Sequence, residues 1–393
     1  MGTKQYDSAT DLITFSRASS ATFLGSNGLL QTAANNVPRI EYDATGAVKG
    51  LLIEEARTNL VTYSEDFSHS SWNKYDAGDT LTSGVIAPDG SSSAYLFAPD
   101  TTNSFHSLRR TTFWATATHT ISLFVKASGR RYLHLAAGGN NLGTPSYDYR
   151  RGVFDVQDGV VISAPTSGSA NVESFGNGWY RISATLVILA GATAKLDITM
   201  GDNTDPTSTI ISGGNGTDGI YIYGAQHEVD SFPTSYIPTT GAAATRARDL
   251  AEIPTSAFGY NNDKGSLVID VLTPVVDQLM PFVHFNTNSY FNSRALWKSN
   301  SVITTLGNYF ASQTHDGATT KFTLGQQTQA VYAKLGLSYG DNESGVKDGG
   351  TVLSGTSRSP NPTRLFLGGR DNGYQSQCWI KSIQYYPRQL TDT

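Results

Sequence analysis

Hydrophobic and polar residues alternate along most of this chain with a period of two. In "HTISLFVKASGRRYLHLAAG", Ile121, Leu123 and Val125 share one face, a Ser-Gly turn follows, and Tyr132 and His134 open a second strand. "GVFDVQDGVVISAP" reads as a hairpin, with Asp158-Gly159 supplying the positive φ of a tight turn. "NGWYRISATLVIL" sets Tyr180, Ile182, Ala184, Leu186 and Ile188 on one face, and "AKLDITMGD" and "GIYIYGAQHEV" continue the pattern. A helical period of useful length is missing; the two places that suggest a helical turn are Glu54–Leu60 and the stretch after Pro387. The pattern predicts an all-β fold: an N-terminal arm followed by two antiparallel β-sandwich domains.

The punctuation of the chain divides it. Residues 1–60 carry short extended pieces broken by turns at Ser26-Asn27-Gly28 and Asp43-Ala44-Thr45-Gly46, and the strand in "NVPRIEYD" is limited by Pro38. This arm is too thin to bury a core and must lean on a neighbouring domain or another chain. Residues 61–248 predict the first sandwich, with roughly eight strands. "FPTSYIPTTGAAATRARDL" (Phe232–Leu250) breaks the periodicity and places a boundary near Arg248. Residues 249–393 predict the second sandwich, its strands separated by Gly, Asn and Asp turns.

Composition narrows the function. At 393 residues with only 16% charged, and with 39 glycines and 20 tyrosines, the chain suits pleated surfaces and turns. A net charge of −5 and no run of Lys or Arg argue against nucleic-acid binding. There is no apolar stretch of membrane-spanning length, and the first residues lack the features of a signal peptide. The lone cysteine, Cys378, excludes an intramolecular disulfide framework and is expected to be a small buried hydrophobe. The histidines (His69, His106, His119, His134, His227, His284 and His315) show no H-x-x-x-H or H-E-x-x-H spacing, so the sequence predicts no zinc site.

"GLLIEEARTNLVTYSEDF" (Gly50–Phe67) concentrates charge in a charge-poor chain. Glu54 and Glu55 are adjacent, so on a strand they face opposite ways, and neither strand nor helix aims both across one glycosidic bond. Glu54 and Arg57 are spaced for an ion pair across a helical turn. Arg57 and Asn59 are positioned to donate to backbone carbonyls in a joint. The segment reads as structural, not catalytic.

Ordered motifs run through the first part of the chain: Arg17-Ala18-Ser19, Ala21-Thr22, Pro38-Arg39, Gly50-Leu51-Leu52-Ile53-Glu54 and Arg57-Thr58-Asn59-Leu60. Together they resemble the N-terminal signature of tail-fibre, tail-spike, head-spike and receptor-binding proteins of tailed bacteriophages and gene transfer agents. "GNGWYRIS" (Gly176–Ser183) and "GAQHEVDSFPTSYIPTTGAAATRARD" (Gly224–Asp249) look like the same group. The first sandwich is similar to jelly-roll carbohydrate-binding modules. The C-terminal part, through "AKLGLSYGDN", "TRLFLGG" and "IKSIQYYPRQLTD", looks like a laminin-G or concanavalin-A-like domain. The resemblance implies a protein displayed on a virion made in the host cytoplasm. It would attach to other virion proteins through the arm, with Arg17, Arg39, Glu54, Arg57 and Asn59 in the joint. It would face host surface polysaccharide as a homo-oligomer, commonly a trimer, with no nucleic acid and no membrane insertion. A structural or decorative virion role without glycan binding is the main rival, and a capsule depolymerase the third.

Sugar binding needs flat aromatic faces and planar polar groups on a rigid scaffold. The first candidate surface draws on Phe105, His106, Arg109, Arg110 and Trp114, on Arg130, Arg131 and Tyr132, and on Asn140, Asn141, Tyr147, Tyr149 and Arg150. Against this stands the reading of Trp114, Tyr132 and Tyr149 as core aromatics. The second surface draws on Asn286, Asn288, Tyr290, Arg370, Asp371, Asn372 and Tyr374. No catalytic residue is expected: the alternating acids of concanavalin-A-like glycosidases, G-x-S-x-G and a β-helix repeat are all absent. No cofactor is expected either. Structural calcium is the one ion considered, at Asp202, Asp205, Asp341 and Glu343, although acid-Asn turns of this kind more often serve only as turns.

Overall fold

A computed structural model describes residues 12–138, 150–211, 213–274, 280–286, 292–298, 309–316, 318–326, 332–356, 360–369 and 377–390. Within them the fold is all-β. Its strands pair antiparallel in several sheets, with a 3-10 turn at Thr255–Ala257.

The first sandwich packs two six-stranded sheets. One, the open sheet, runs in the order Val160–Ser163, Arg151–Asp155, Tyr132–Gly138, Ala192–Met200, Ser107–Trp114 and Trp72–Lys74. The other, the covered sheet, runs Gly168–Gly176, Trp179–Val187, Thr118–Ser128, Gly219–Val229, Ala94–Ala98 and Thr80–Val85. Ile121, Leu123, Val125, Ile182, Ala184, Leu186 and Ile188 meet Leu133, Leu135, Leu196 and Ile198 in the core between them. Alternation alone predicts half-buried strands, yet every residue from His119 to Val125 is buried. The reason is a hairpin, Ala21–Leu24 with Leu30–Ala33, that lies on the outside of the covered sheet. Its Leu24 and Leu30 pack with Phe124, Phe175, Trp179, Tyr223 and Tyr236.

The arm expected over residues 1–60 does lean on a neighbouring domain, but as part of it: its strands belong to the sheets of the second sandwich. Thr14–Ser16 adds to Leu250–Pro254 at the edge of one sheet of the second sandwich. Arg39–Tyr42 and Val48–Ile53 add to Cys378–Tyr386 at the edge of its other sheet. Leu51 and Ile53 fill the same core as Leu267, Ile269, Phe285, Leu335, Leu367 and Cys378. The thin N-terminal segment thus buries its apolar residues in the C-terminal sandwich, and the first sandwich is an insertion within the second. Gly50 permits the close approach: its φ is +129°, and a Cβ there would lie 2.5 Å from the Ile380 carbonyl oxygen.

The two crossings between sandwiches run side by side, Arg57–Asn59 paired with Ala244–Arg246. At this neck sits a buried ionic cluster. Arg39 Nη2 lies 2.8 Å from Glu54 Oε2 and 2.6 Å from Asp249 Oδ2, and Arg17 Nη1 lies 3.0 Å from Asp249 Oδ1, all four side chains fully buried. Arg246 Nε completes it, 3.5 Å from Glu54 Oε2. The amide and hydroxyl of Ser235 donate to Glu54 at 2.8 and 2.7 Å. Burial would raise the Glu54 carboxyl, but Arg246 and Arg39 prevail and hold it down at about 2. The predicted Glu54–Arg57 pair on a helical turn is therefore replaced. Arg57–Asn59 is a strand, and Arg57 pairs with Glu55 at 2.6 Å and Asp230 at 2.7 Å. Arg57 also donates to the Val229 carbonyl at 3.0 Å, and Asn59 to those of Ala225 and Ile237 at 3.2 and 2.8 Å. No helical turn follows Pro387 within the described residues.

Candidate functional site

The hairpin and the second sandwich occupy the outside of the covered sheet, so the open sheet presents the first sandwich outward. Pairing of Arg109 with Asp197, Asp197 with Ala136, and Ala136 with Arg151 places these residues in one row. Leu108 and Leu196, one residue out of phase, point into the core. At one end of the row Tyr75 is 56% exposed. Its backbone amide donates to Ser107 at 2.8 Å, which extends the edge strand. The Arg109 guanidinium lies over the Tyr75 ring at 4.2 Å and over Phe105 at 4.8 Å, and the two rings meet edge to face at 5.2 Å. Arg109 Nε is 3.2 Å from Asp197 Oδ1. Asp197 is buried, and burial pushes its carboxyl up to about 6 against the pull of Arg109, Lys195 and Arg150. Asp197 Oδ1 and Arg109 Nε form no geometrically sound hydrogen bond among the described residues. A flat exposed ring and a planar cation thus share one rigid surface, with the buried Asp197 carboxylate beside Arg109 holding the cation in place. That set can stack on a sugar face and bond its hydroxyls.

Not every candidate residue lies on this surface. Phe105 and Arg109 do. Trp114 is corrected to the core, 0% exposed, its ring 4.3 Å from that of His227 and 5.3 Å from that of His119. His106 is corrected likewise: it is fully buried, with Nδ1 against the Asp79 carboxylate. Arg131 fastens the Asp158 turn through Asp155 and Asp158, its guanidinium 5.1 Å from the half-buried Tyr132 ring. Arg110 reaches inward to Ser71 and Thr62, and Arg130 donates to the Gly213 carbonyl at 2.8 Å. Arg150 is buried. Asn140, Asn141, Tyr147 and Tyr149 lie outside the described residues.

Of the second candidate surface only Asn286 lies among the described residues. Asn286 is buried within the strand Met280–Asn286, not on a loop, and Asn288, Tyr290, Arg370, Asp371, Asn372 and Tyr374 lie outside the described residues. The calcium candidates are spread out. Asp202 and Asp205 accept from Thr204 and Thr207 in their own turns, while Glu343 is buried in a strand of the other sandwich next to Asp341. In each turn the threonine donors account for the acid as turn chemistry.

Three arrangements escaped the sequence. Tyr75 is one, although its spacing from the buried Trp72 puts the two rings on opposite faces of a strand. The second is the histidine pair, His119 Nδ1 and His227 Nε2 at 2.9 Å. His119 Nε2 donates to the Ala115 carbonyl at 2.9 Å, so its Nδ1 accepts and His227 Nε2 carries the proton. Burial, and then His119, push His227 down to about 3. The third is a 560 Å³ cleft between the sandwiches, with Trp379, Phe175 and Tyr236 in its lining. Lys49 lies there 4.0 Å from the Trp379 ring, 3.1 Å from Glu173 and 3.5 Å from Glu41. These charges satisfy one another, which makes the cleft a clasp more than a receptor.

No protein-family model matches the chain, and no curated protein matches it. Solved structures with detectable likeness include NanB with optactamide, 14% identical at a TM-score of 0.29, covering 36% of this chain and 25% of NanB. The tandem CBM22-1-CBM22-2 domain of Paenibacillus barcinonensis Xyn10C is 9% identical at 0.29, covering 85% of this chain and 98% of its own. Mouse laminin alpha1 domains LG4-5 are 11% identical at 0.25, covering 81% and 92%. The chain spans a quarter of NanB and 59% of Trypanosoma rangeli sialidase. At these TM-scores the superpositions bear on neither activity nor ligand.

Proposed function

We propose that the chain is a non-catalytic glycan-binding protein of a virion surface, a fibre or spike component that adsorbs to host cell-surface polysaccharide. The observation that carries this reading is the Tyr75–Arg109–Phe105 platform beside Asp197. It lies on the sheet opposite the one that holds the N-terminal hairpin, where a receptor surface belongs if residues 12–53 face the particle. The virion setting rests on the N-terminal sequence motifs. Affinity would come from weak contacts multiplied over copies on one particle.

The rival, a structural virion role, draws support from the edge strand Val160–Ser163, where Val160, Val161 and Ile162 are 48, 36 and 41% exposed. Such an apolar edge suits a subunit contact.

The test is binding of the purified protein to host cells with and without surface polysaccharide, with the sugar's reducing ends followed over time. Polysaccharide-dependent binding without new ends is expected. New ends would overturn the non-catalytic reading, and no binding would favour the structural role.

A further inference from the structure

At the end of the inserted sandwich, Asp76 meets Asp100 and His106, which lie six residues apart on one later stretch of chain, with ligand atoms all within 4.8 Å of one another. Asp79 stands behind them. Its Oδ1 meets His106 Nδ1 and lies 3.4 Å from the Asp100 amide. The Asp79 side chain is fully buried, and its Oδ2 finds no hydrogen-bond donor among the described residues. We propose that this cluster is a binding site for one divalent transition-metal cation of the zinc type, with Asp76, Asp100 and His106 as ligands and Asp79 orienting the imidazole.

The chemistry supports a cation over an ordinary turn network. The Thr102 hydroxyl lies 2.9 Å from Asp76 Oδ2 and 2.6 Å from Asp100 Oδ1, but a single hydroxyl proton serves only one of them. No Lys or Arg among the described residues forms an ion pair with Asp76, Asp79 or Asp100. The nearby Lys74 ammonium is committed to the Ala77 and Asp79 carbonyls at 2.9 and 2.6 Å. The Gly78 and Thr102 amides serve Asp76 Oδ1 and Asp100 Oδ1 at 3.2 and 2.8 Å, but Asp79 Oδ2 is buried without a donor, which is costly unless a cation offsets it. Mixed imidazole and carboxylate donors match zinc-type ions better than all-oxygen calcium sites. A carboxylate on Nδ1 is the usual support for an imidazole that ligates through Nε2, and an ion there would replace the proton that His106 Nε2 shares with the Thr102 carbonyl at 3.3 Å. Tetrahedral zinc needs donors roughly 3.4 Å apart, a small adjustment for the partly exposed Asp76 and Asp100.

Tyr75 precedes Asp76 and Phe105 precedes His106 in the chain. A bound ion would therefore fix both rings of the platform. That consequence rests on the glycan-binding reading; the metal site itself does not.

The test uses the full chain, stripped with a chelator and titrated with Zn²⁺ and, separately, Ca²⁺, by calorimetry and metal analysis, with melting followed in parallel. One Zn²⁺ per chain and a raised melting temperature are expected. Asp76→Asn, on a surface turn, and Asp100→Asn should each weaken Zn²⁺ at least tenfold while keeping the far-ultraviolet spectrum. Asp205→Asn should leave binding unchanged. No stoichiometric Zn²⁺, preference for Ca²⁺, or undiminished binding in a folded Asp76→Asn, Asp100→Asn double variant would overturn the proposal. Loss of glycan binding in a variant that still holds Zn²⁺ would count against the platform and leave the metal site standing.

Discussion

Glu54 and Asp249 are stapled to each other across the inserted sandwich. The Asp249 amide donates to the Glu54 carbonyl at 2.9 Å, and the Glu54 amide donates to Asp249 Oδ2 at 2.9 Å. The two residues are 195 positions apart, and each also holds the Arg39 guanidinium. Glu54 is thus the keystone of a joint between sandwiches, and its carboxylate has no spare oxygen for catalysis.

Removing one member of that cluster should strand the rest. Asp249→Asn leaves Arg17 and Arg39 buried with reduced compensation. The expected loss is about 3–5 kcal/mol, read as a lower midpoint in urea unfolding. A change under about 1 kcal/mol would mean that water or a rearranged Glu54 takes over.

Acid should unfold the protein through identifiable groups. Glu54 titrates near 2 folded and near 4.5 unfolded, so its stabilisation is complete above 4.5 and is lost as pH falls toward 2. His227 stays neutral down to about 3 folded but takes a proton near 6.5 unfolded, so it costs stability progressively as pH falls below 6.5. In His227→Gln the part of the decline between pH 6.5 and 4.5 should flatten. An unchanged slope would show that His227 is not its source.

Asp197 acts in the opposite sense. Its carboxyl holds a proton up to about 6 folded but releases it near 3.8 unfolded, so the folded state binds more protons between these values. Stability attributable to this residue falls as pH rises from 3.8 to 6, by on the order of 3 kcal/mol. Asp197→Asn removes that fall. Denaturant midpoints of the variant and wild type, compared from pH 4 to 7, should converge at the acid end.

Exposed and buried aromatics should separate cleanly. Tyr75→Ala is expected to leave the melting temperature nearly unchanged and to weaken polysaccharide binding at least tenfold. Trp114→Ala should cost about 3–5 kcal/mol whatever the ligand. Full binding by Tyr75→Ala would remove the platform from the glycan site.

Gly50→Ala tests the seam between the N-terminal strands and the C-terminal sheet. Positive φ and a clash with the Ile380 carbonyl should together cost about 2 kcal/mol or more. Hydrogen exchange should quicken first at Val48–Ile53.

The strands themselves were legible, because alternation records which side chain faces a core. Ile121, Leu123 and Val125 sit where their spacing puts them. Which strand pairs with which was not legible, since pairing of Leu52 with Trp379 leaves no local mark on either. That is why an arm was expected where strands of the second sandwich stand. The platform was half visible. Arg109 and Phe105 belong to it, but nothing around Trp114 announces that its ring turns inward to meet His227. The cluster of Asp76, Asp100 and His106 left no recognisable spacing signature, because Asp76 comes from a separate segment and six residues divide the other two.

The insertion also sets an order of assembly. Strands Arg39–Tyr42 and Val48–Ile53 emerge from the ribosome well before their partner Cys378–Tyr386. At about 5–20 residues per second they wait tens of seconds. The inserted sandwich has its strands complete by Val229 and can fold in that interval. Once folded, it holds Arg57–Asn59 beside Ala244–Arg246 and has already met the entropy of bringing Glu54 to Asp249. The second sandwich then closes as if its two pieces were joined by a short turn. The first acts as a built-in template, and a slow-folding insert would leave the N-terminal strands waiting with open edges.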